Sequence, residues 1–194
     1  MKKLVLILLS LLFTLTCFAE GHMLFKGIEI NGTLSQFKNS LTKQGFTVAE
    51  SEENALAFKG TFAGYDNCAI LVSATPVEKM VYTVVVVLPE QDSWYSLKSR
   101  FNEFKESLTK KYGKPYQDIH YFSDPYYEGD GYEMQAINYH KCSYAAMYQT
   151  PLGEIGVMIY EAGRRTASVV LIYKDKINDA LNEKAAHDSR SNDL

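Results

Sequence analysis

The residues that most often betray a reaction are scarce in this chain of 194 residues, which holds 3 cysteines, 4 histidines and 1 tryptophan. His22, His120, His140 and His187 are scattered, without the clustered helical or knuckle spacing that zinc requires. His140-x-Cys142 supplies two ligands at most. No Gly-x-Ser-x-Gly elbow, phosphate-cradling loop or dinucleotide fingerprint occurs. A nucleophile needs an adjacent base, and His140 with Cys142, two residues apart, reads as a pair of ordinary strand residues. Positive charge is also short, 20 basic against 23 acidic residues for a net charge of −3, so the basic stripe of a nucleic-acid binder is missing. Beyond the first nineteen residues no apolar run exceeds strand length, Val84 to Leu88 being typical, whereas a membrane helix needs about 20. These absences point away from an enzyme, a metal site, a cofactor and a membrane span.

The first nineteen residues have a different character. Lys2 and Lys3 precede an apolar stretch from Leu4 to Thr16, and Cys17-Phe18-Ala19 supplies a small-x-small cleavage site, the plan of a secretory signal peptide. The alternative is a lipoprotein anchored through Cys17, against which the bulky Leu15 counts. The expected location is periplasmic or secreted. Cleavage near Ala19 would leave 18 basic and 23 acidic residues and one even pair of cysteines, Cys68 and Cys142, in an oxidising compartment. A bond between them would close a long loop, worth roughly 4 kcal/mol in the chain-entropy picture. The other reading is two buried, unpaired thiols.

What the chain does contain is organised twice over. QFKNSLTKQG at residues 36–45 is followed by EFKESLTKKY at residues 103–112. The first lies on a predicted helix with Thr33 as N-cap, Gln36 completing a capping box and Gly45 as the stop. The second lies on a longer helix opened by Asp92 or Ser93, striped by Trp94, Leu97, Phe101, Phe104 and Leu108, and closed by Gly113 and Pro115. In both, Phe and Leu four apart are expected to be buried and the lysines solvated. Strand-like runs follow each helix: Ala57 to Phe62, Asn67 to Thr75 and Lys79 to Leu88, then Tyr132 to Tyr139, Cys142 to Gln149, Glu154 to Tyr160 and Thr166 to Tyr173. Val81, Thr83, Val85 and Val87 are expected to share one face, and Ile155, Val157 and Ile159 another.

The reading is an α+β fold of two tandem helix-plus-antiparallel-meander repeats, about 24–90 and about 91–175, with the helices on one face of the sheet. Cys68 and Cys142 each lead to a Thr-Pro dipeptide, Thr75-Pro76 and Thr150-Pro151, which supports the duplication. Residues 176–194 are expected to be a short helix, from about Asp175 to Ala186, and a polar tail.

Tandem helix-plus-meander units behind a secretion signal resemble the architecture of the β-lactamase inhibitor protein and of the small BamE-type lipoproteins of outer-membrane assembly. Phe25-Lys26-Gly27-Ile28-Glu29-Ile30-Asn31-Gly32, Thr150-Pro151-Leu152-Gly153-Glu154-Ile155 and Ile172-Tyr173-Lys174-Asp175 are similar to segments of uncharacterised secreted proteins of Gram-negative bacteria. The resemblance covers residues 24–175 and implies a fold; it carries no catalytic residue, and a fold alone does not assign a function.

Tyrosine is the strongest excess. Eight of the 14 tyrosines, at 116, 121, 126, 127, 132, 139, 144 and 148, fall within 33 residues. They surround the acidic stretch Ser123-Asp124-Pro125-Tyr126-Tyr127-Glu128-Gly129-Asp130-Gly131-Tyr132-Glu133. Exposed tyrosines offer broad amphipathic contact area at low entropic cost, although strands also favour tyrosine. Asp124, Glu128 and Asp130 could wrap a calcium ion, but their spacing is not that of an EF-hand. Asp124, Tyr126, Tyr127, Glu128, Asp130 and Tyr132 are therefore the candidate binding residues. The function expected is an exported binding module for a protein, peptide or envelope component, the alternatives being a small hydrolase without a recognisable motif or a structural envelope protein.

Overall fold

The computed structural model describes residues 21–192; the leader expected at residues 1–19 lies outside them. A two-stranded hairpin, β1 (Leu24–Phe25) and β2 (Ile28–Glu29), precedes α1 (Leu34–Lys43). Four antiparallel strands follow: β3 (Thr47–Ser51), β4 (Ala55–Phe62), β5 (Tyr65–Ala74) and β6 (Val81–Val87). Then come α2 (Trp94–Tyr112), β7 (Gln117–Phe122), α3 (Glu133–Asn138), β8 (Cys142–Thr150), β9 (Gly153–Gly163), β10 (Thr166–Asp175) and α4 (Lys176–Asn192). The eight long strands form one antiparallel sheet in the order β3-β4-β5-β6-β10-β9-β8-β7. Two meanders thus meet at their last strands, with Val85 opposite Ile172 in the middle of the seam.

Local chemistry explains where α1 starts and stops. The Gln36 amide donates to Thr33 Oγ1 at 3.3 Å, and the Thr33 amide donates back to Gln36 Oε1 at 2.9 Å, the reciprocal bonds of a capping box. At the other end Gly45 takes a φ of +88°. Its amide donates to Thr42 O and that of Phe46 to Leu41 O, so the carbonyls of the last turn are satisfied as the chain leaves. Phe37 and Leu41 are buried, as are Leu97, Phe101, Phe104 and Leu108 of α2. α1 packs on β3, β4 and β5, and α2 on β8, β9 and β10. The covered face of the sheet contributes Phe58, Ile70, Val72, Val84, Val86, Leu171, Ile155, Val157, Ala146 and Tyr148 to the same core. Lys38 and Lys110 are solvated as expected, but Lys105 donates to Asp118 of β7 at 2.7 Å.

Several expectations are corrected. The run Tyr132–Tyr139 is a helix, because Ala136 and Ile137 turn inward together with Glu133 while the flanking tyrosines stay outside. β3 and β7 are edge strands that alternation does not reveal; all five residues of β3 are exposed. In β6 Val81, Thr83, Val84 and Val86 are buried, while Val85 and Val87 are only half-buried. The register shifts where Val81 and Thr83 face Ala74 and Ser73, and the extra residue, Tyr82, moves the later side chains to the other face. α4 runs well past Ala186, through a stretch without glycine or proline.

Cys68 lies on β5 and Cys142 on β8 with three strands between them, and both thiols are free. Four strand spacings amount to roughly 19 Å, far beyond the reach of a disulfide. Nor do the two Thr-Pro turns correspond, since Thr75-Pro76 joins the third and fourth strands of its meander and Thr150-Pro151 the second and third of the other.

The two ends of the described chain are tied together by a buried polar knot. Asp175, fully buried, accepts from the Met23 amide at 2.8 Å and caps α4 through the amides of Ile177 and Asn178. The His22 ring sits 3.1 Å from the same carboxylate. The Asn178 side-chain amide donates to Ile30 O and Val81 O.

Leu41→Ala and Leu108→Ala should each lower the unfolding free energy by about 2–5 kcal/mol. Lys38→Ala and Lys110→Ala should change it by less than about 0.5 kcal/mol. Urea titration of the four variants measures the difference.

Candidate functional site

The acidic tyrosine-rich segment, residues 123–132, connects β7 to α3 and is held from beneath by aromatic packing. Tyr144 of β8 stacks on His120 at 4.7 Å between ring centroids and meets Trp94 edge-on at 5.1 Å. Phe101 and Phe122 close the cluster. The Tyr144 hydroxyl donates to Glu128 Oε2 at 2.8 Å, and Lys98 of α2 donates to Glu128 Oε1. Lys98 holds the Glu128 carboxyl below its ordinary range, aided by the Tyr144 bond against the opposing effect of burial. Burial, with Glu128 next, pushes the Tyr144 hydroxyl well above the usual tyrosine range.

The remaining predicted site residues divide by role. Both oxygens of Asp130 accept backbone amides, Tyr127 at 3.0 Å and Tyr132 at 2.7 Å, while Glu133 accepts the Gly129 amide at 2.8 Å. The Tyr126 hydroxyl accepts from Gln135 at 3.1 Å. Asp124 is exposed. Glu128 and Asp130 thus spend their oxygens on shaping the segment. Among the described residues no group of three or more His, Cys, Asp and Glu side chains is placed to hold a metal ion. Tyr127, Tyr132 and Tyr139 are 65%, 60% and 61% exposed, a large area of aromatic ring presented to solvent.

Tyr132 and Tyr139 flank α3 and lead to residues that sequence reasoning missed. A cleft of about 670 Å³ separates α3 from the β9–β10 turn, lined by Tyr132, Met134, Gln135, Asn138 and Tyr139 on one side and by Arg164, Arg165 and Asp92 on the other. The α3 side is fixed by its C-terminus. His140 adopts a φ of +54°, its amide donates to Ile137 O at 3.0 Å, and that of Lys141 donates to Ala136 O at 2.7 Å. This is the glycine-type helix stop with histidine in the left-handed position. It leaves Tyr139 at the rim. The Asn138 Oδ1 is buried without a hydrogen-bond partner.

The opposite wall is the hairpin turn Arg164-Arg165, closed by the pair Gly163 and Thr166. Arg165 has a φ of +71°, a region that favours glycine or asparagine. The tip of the hairpin, beside the turn, is braced by the mutual backbone bonds of Gln91 and Ala167, at 2.8 and 3.0 Å, and by Thr166 donating to Glu90 at 2.7 Å. The same bridge brings Asp92 to the cleft. Neither arginine has an ion-pair partner among the described residues. The signal available in the sequence was the Gly-Arg-Arg turn, which reads as a hairpin loop and nothing more.

His140 belongs to the stop of α3 rather than to a strand, Cys142 opens β8, and no hydrogen bond joins their side chains among the described residues. Burial, together with Glu128 and Glu133, pushes the Cys142 thiol up to about 12. The exposed His140 ring lies 3.8 Å from Glu161.

The second exposed feature is the face of the sheet opposite α1 and α2, which α4 reaches only where it packs on β6, β9 and β10, so the helices do not all share one face as expected. Cross-strand register aligns Ala57, Leu71, Val85, Ile172, Gly156 and Met147 in one row. Ala69, Val87, Val170, Met158, Ala145 and Ile119 form the next. Most of these side chains are half-buried by their neighbours, with Leu71 the most exposed large one.

No protein-family model matches the chain, and no curated protein or solved structure matches it either. The geometry of the chain itself is what bears on its function.

The stability that Glu128 contributes is fully present above its unfolded value near 4.5. Because its folded value is lower, that contribution is lost as pH falls from there through the folded value. Glu128→Gln should therefore show a shallower loss of stability on acidification below pH 4.5 than the parent, measured by urea midpoints across pH 3–6.

Proposed function

We propose that the chain is an exported, non-catalytic binding module whose contact surface is the end of the molecule built from residues 123–132, α3 and the β9–β10 turn. The observation that carries this reading is the exposure of Tyr132 and Tyr139 at a cleft that also presents two arginines without an ion-pair partner among the described residues, with Tyr127 exposed on the preceding segment. Exposed tyrosine and arginine are the side chains in which binding energy most often concentrates. The internal use of Asp130, Glu128 and Glu133 supports it, because a segment held by so many of its own bonds presents a preorganised surface that loses little freedom on binding. Export rests on the leader-like pattern of residues 1–19.

The same reading takes the two helix-plus-meander halves as copies of one unit. Support comes from the recurrent Phe-Lys-x-Ser-Leu-Thr-Lys, whose Phe37, Leu41, Phe104 and Leu108 are all core positions. The antiparallel meeting of the last strand of each meander adds to it. The second half alone has an insertion between its first two strands, residues 123–141, and that insertion supplies half of the cleft. On this reading the function belongs to the departure from the repeat.

Tyr132→Ala combined with Tyr139→Ala should reduce retention of the purified protein on isolated bacterial envelope material by about tenfold or more, as expected for loss of two contact aromatics. Its melting temperature should stay within about 2 °C of the parent's, since exposed rings contribute little to folding. Sedimentation of envelope with bound protein and a thermal melt give the two readings, and undiminished retention overturns the proposal.

A further inference from the structure

We propose that the cleft between α3 and the β9–β10 turn takes an acidic saccharide, a sugar bearing a carboxylate or a phosphate. Its anionic group would meet Arg164 and Arg165, and its ring would lie against Tyr132 and Tyr139. The inference rests on the reading of this end of the molecule as the binding surface and adds the chemistry of what is bound.

Three features of the cleft select that chemistry. The first is charge. Two guanidinium groups stand on one turn, with Asp92 as the single carboxylate among the lining residues. Neither arginine is neutralised by an ion pair among the described residues. Guanidinium forks match the paired oxygens of carboxylate and phosphate. The second is the mixture of lining groups. Tyr132 and Tyr139 offer exposed aromatic rings with polar tips, while Gln135, Asn138 and Asp92 offer amide and carboxylate groups. A ring with one weakly polar face and several hydroxyls uses both kinds of contact, whereas a bare inorganic anion would leave the aromatic walls without a role. The third is what the cleft lacks. An extended peptide docks by adding to an unpaired strand edge. Of the β9–β10 hairpin only the turn residues Arg164 and Arg165 line the cleft, and the outer edge of β10 beside the turn is already bonded through Ala167 to Gln91 and through Val169 to Leu88, so recognition falls to side chains. The cleft volume of about 670 Å³ lies within the range of small-molecule sites.

The construction of the turn provides an unusually clean variant. Arg165 occupies a left-handed φ of +71°, where glycine is relaxed and arginine is not. Arg165→Gly therefore removes the guanidinium without removing a support of the fold, and its melting temperature should equal or exceed the parent's. Arg164→Ala removes the other charge from an exposed position.

Isothermal titration of the purified protein with an oligogalacturonate, with its neutral methyl ester and with glucose 6-phosphate tests the proposal. Binding of the oligogalacturonate, of glucose 6-phosphate or of both is expected, and which of them binds identifies the anionic group. The methyl ester should bind about tenfold or more weakly than the acid, as should the acid to Arg164→Ala and Arg165→Gly, since each change removes a charge-assisted contact. Equal affinity for acid and ester overturns the proposal, and so does undiminished binding by Arg165→Gly. If neither charged probe binds while Tyr132→Ala with Tyr139→Ala still abolishes envelope retention, the saccharide is wrong and the binding surface stands. If that retention is also unchanged, both fall.

Discussion

The pairing of β6 with β10 is the contact on which the rest of the structure depends. Without it each meander would be a four-stranded sheet with an unpaired apolar strand at its edge. With it Val84, Val86, Leu171 and Val169 lie side by side in one continuous core. α1 and α2 cover the outer strands of that core from opposite halves. The seam also fixes which parts of the chain can form a site together. Because β10 is anchored to β6, the hairpin it forms with β9 projects at a defined place, and the Gln91–Ala167 bridge ties the segment before α2 to its tip. The cleft walls are consequently two rigid attachments to the same strand pair. A surface of this kind needs little ordering when it binds.

The parts of this architecture that were legible in the sequence are those governed by local chemistry. Thr33, Gln36 and Gly45 announce α1 because a cap, its reciprocal partner and a left-handed stop are short-range requirements, and the observed hydrogen bonds meet each of them. Phe104 and Leu108 were readable as core because helical spacing reports burial directly. β3 was not readable, since Thr47-Val48-Ala49-Glu50-Ser51 is an edge segment exposed on both faces and so has no alternation to see. α3 was misread because Tyr132 and Tyr139 favour strands; its helical state is decided by Ala136 and Ile137 finding a place against β8, β9 and β10. The single extra residue at Tyr82 exchanged the faces of β6 for the same reason, as register belongs to the sheet and not to the segment.

The candidate site shows the same division more sharply. Tyrosine enrichment points to the end of the molecule that holds the cleft, and of the six candidate binding residues Tyr132 is the one that lines it. Asp130 and Glu128 proved to be parts of the scaffold, since their oxygens meet donors of the chain itself. Arg164 and Arg165 were invisible because the residues across the cleft, Tyr132 to Tyr139, are 25–33 positions away in sequence, and only the β8–β9–β10 meander brings them together. A pattern of residue types finds a surface more readily than it finds the groups that complete it.

The knot at Asp175 and Asn178 bears on the order in which the molecule can be completed. Met23 and Ile30, at the start of the described chain, bond to side chains that lie near its end, and β6 waits for β10 as its second neighbour. At about 5–20 residues per second, the ribosome needs about 4–18 seconds to travel from the end of β6 to the end of β10. Throughout that interval the first meander has an open seam and the first buried segment has no anchor. Under the export proposed above, this order would suit translocation, because the contacts that lock the chain into a shape too bulky to thread through a pore are the last to be synthesised.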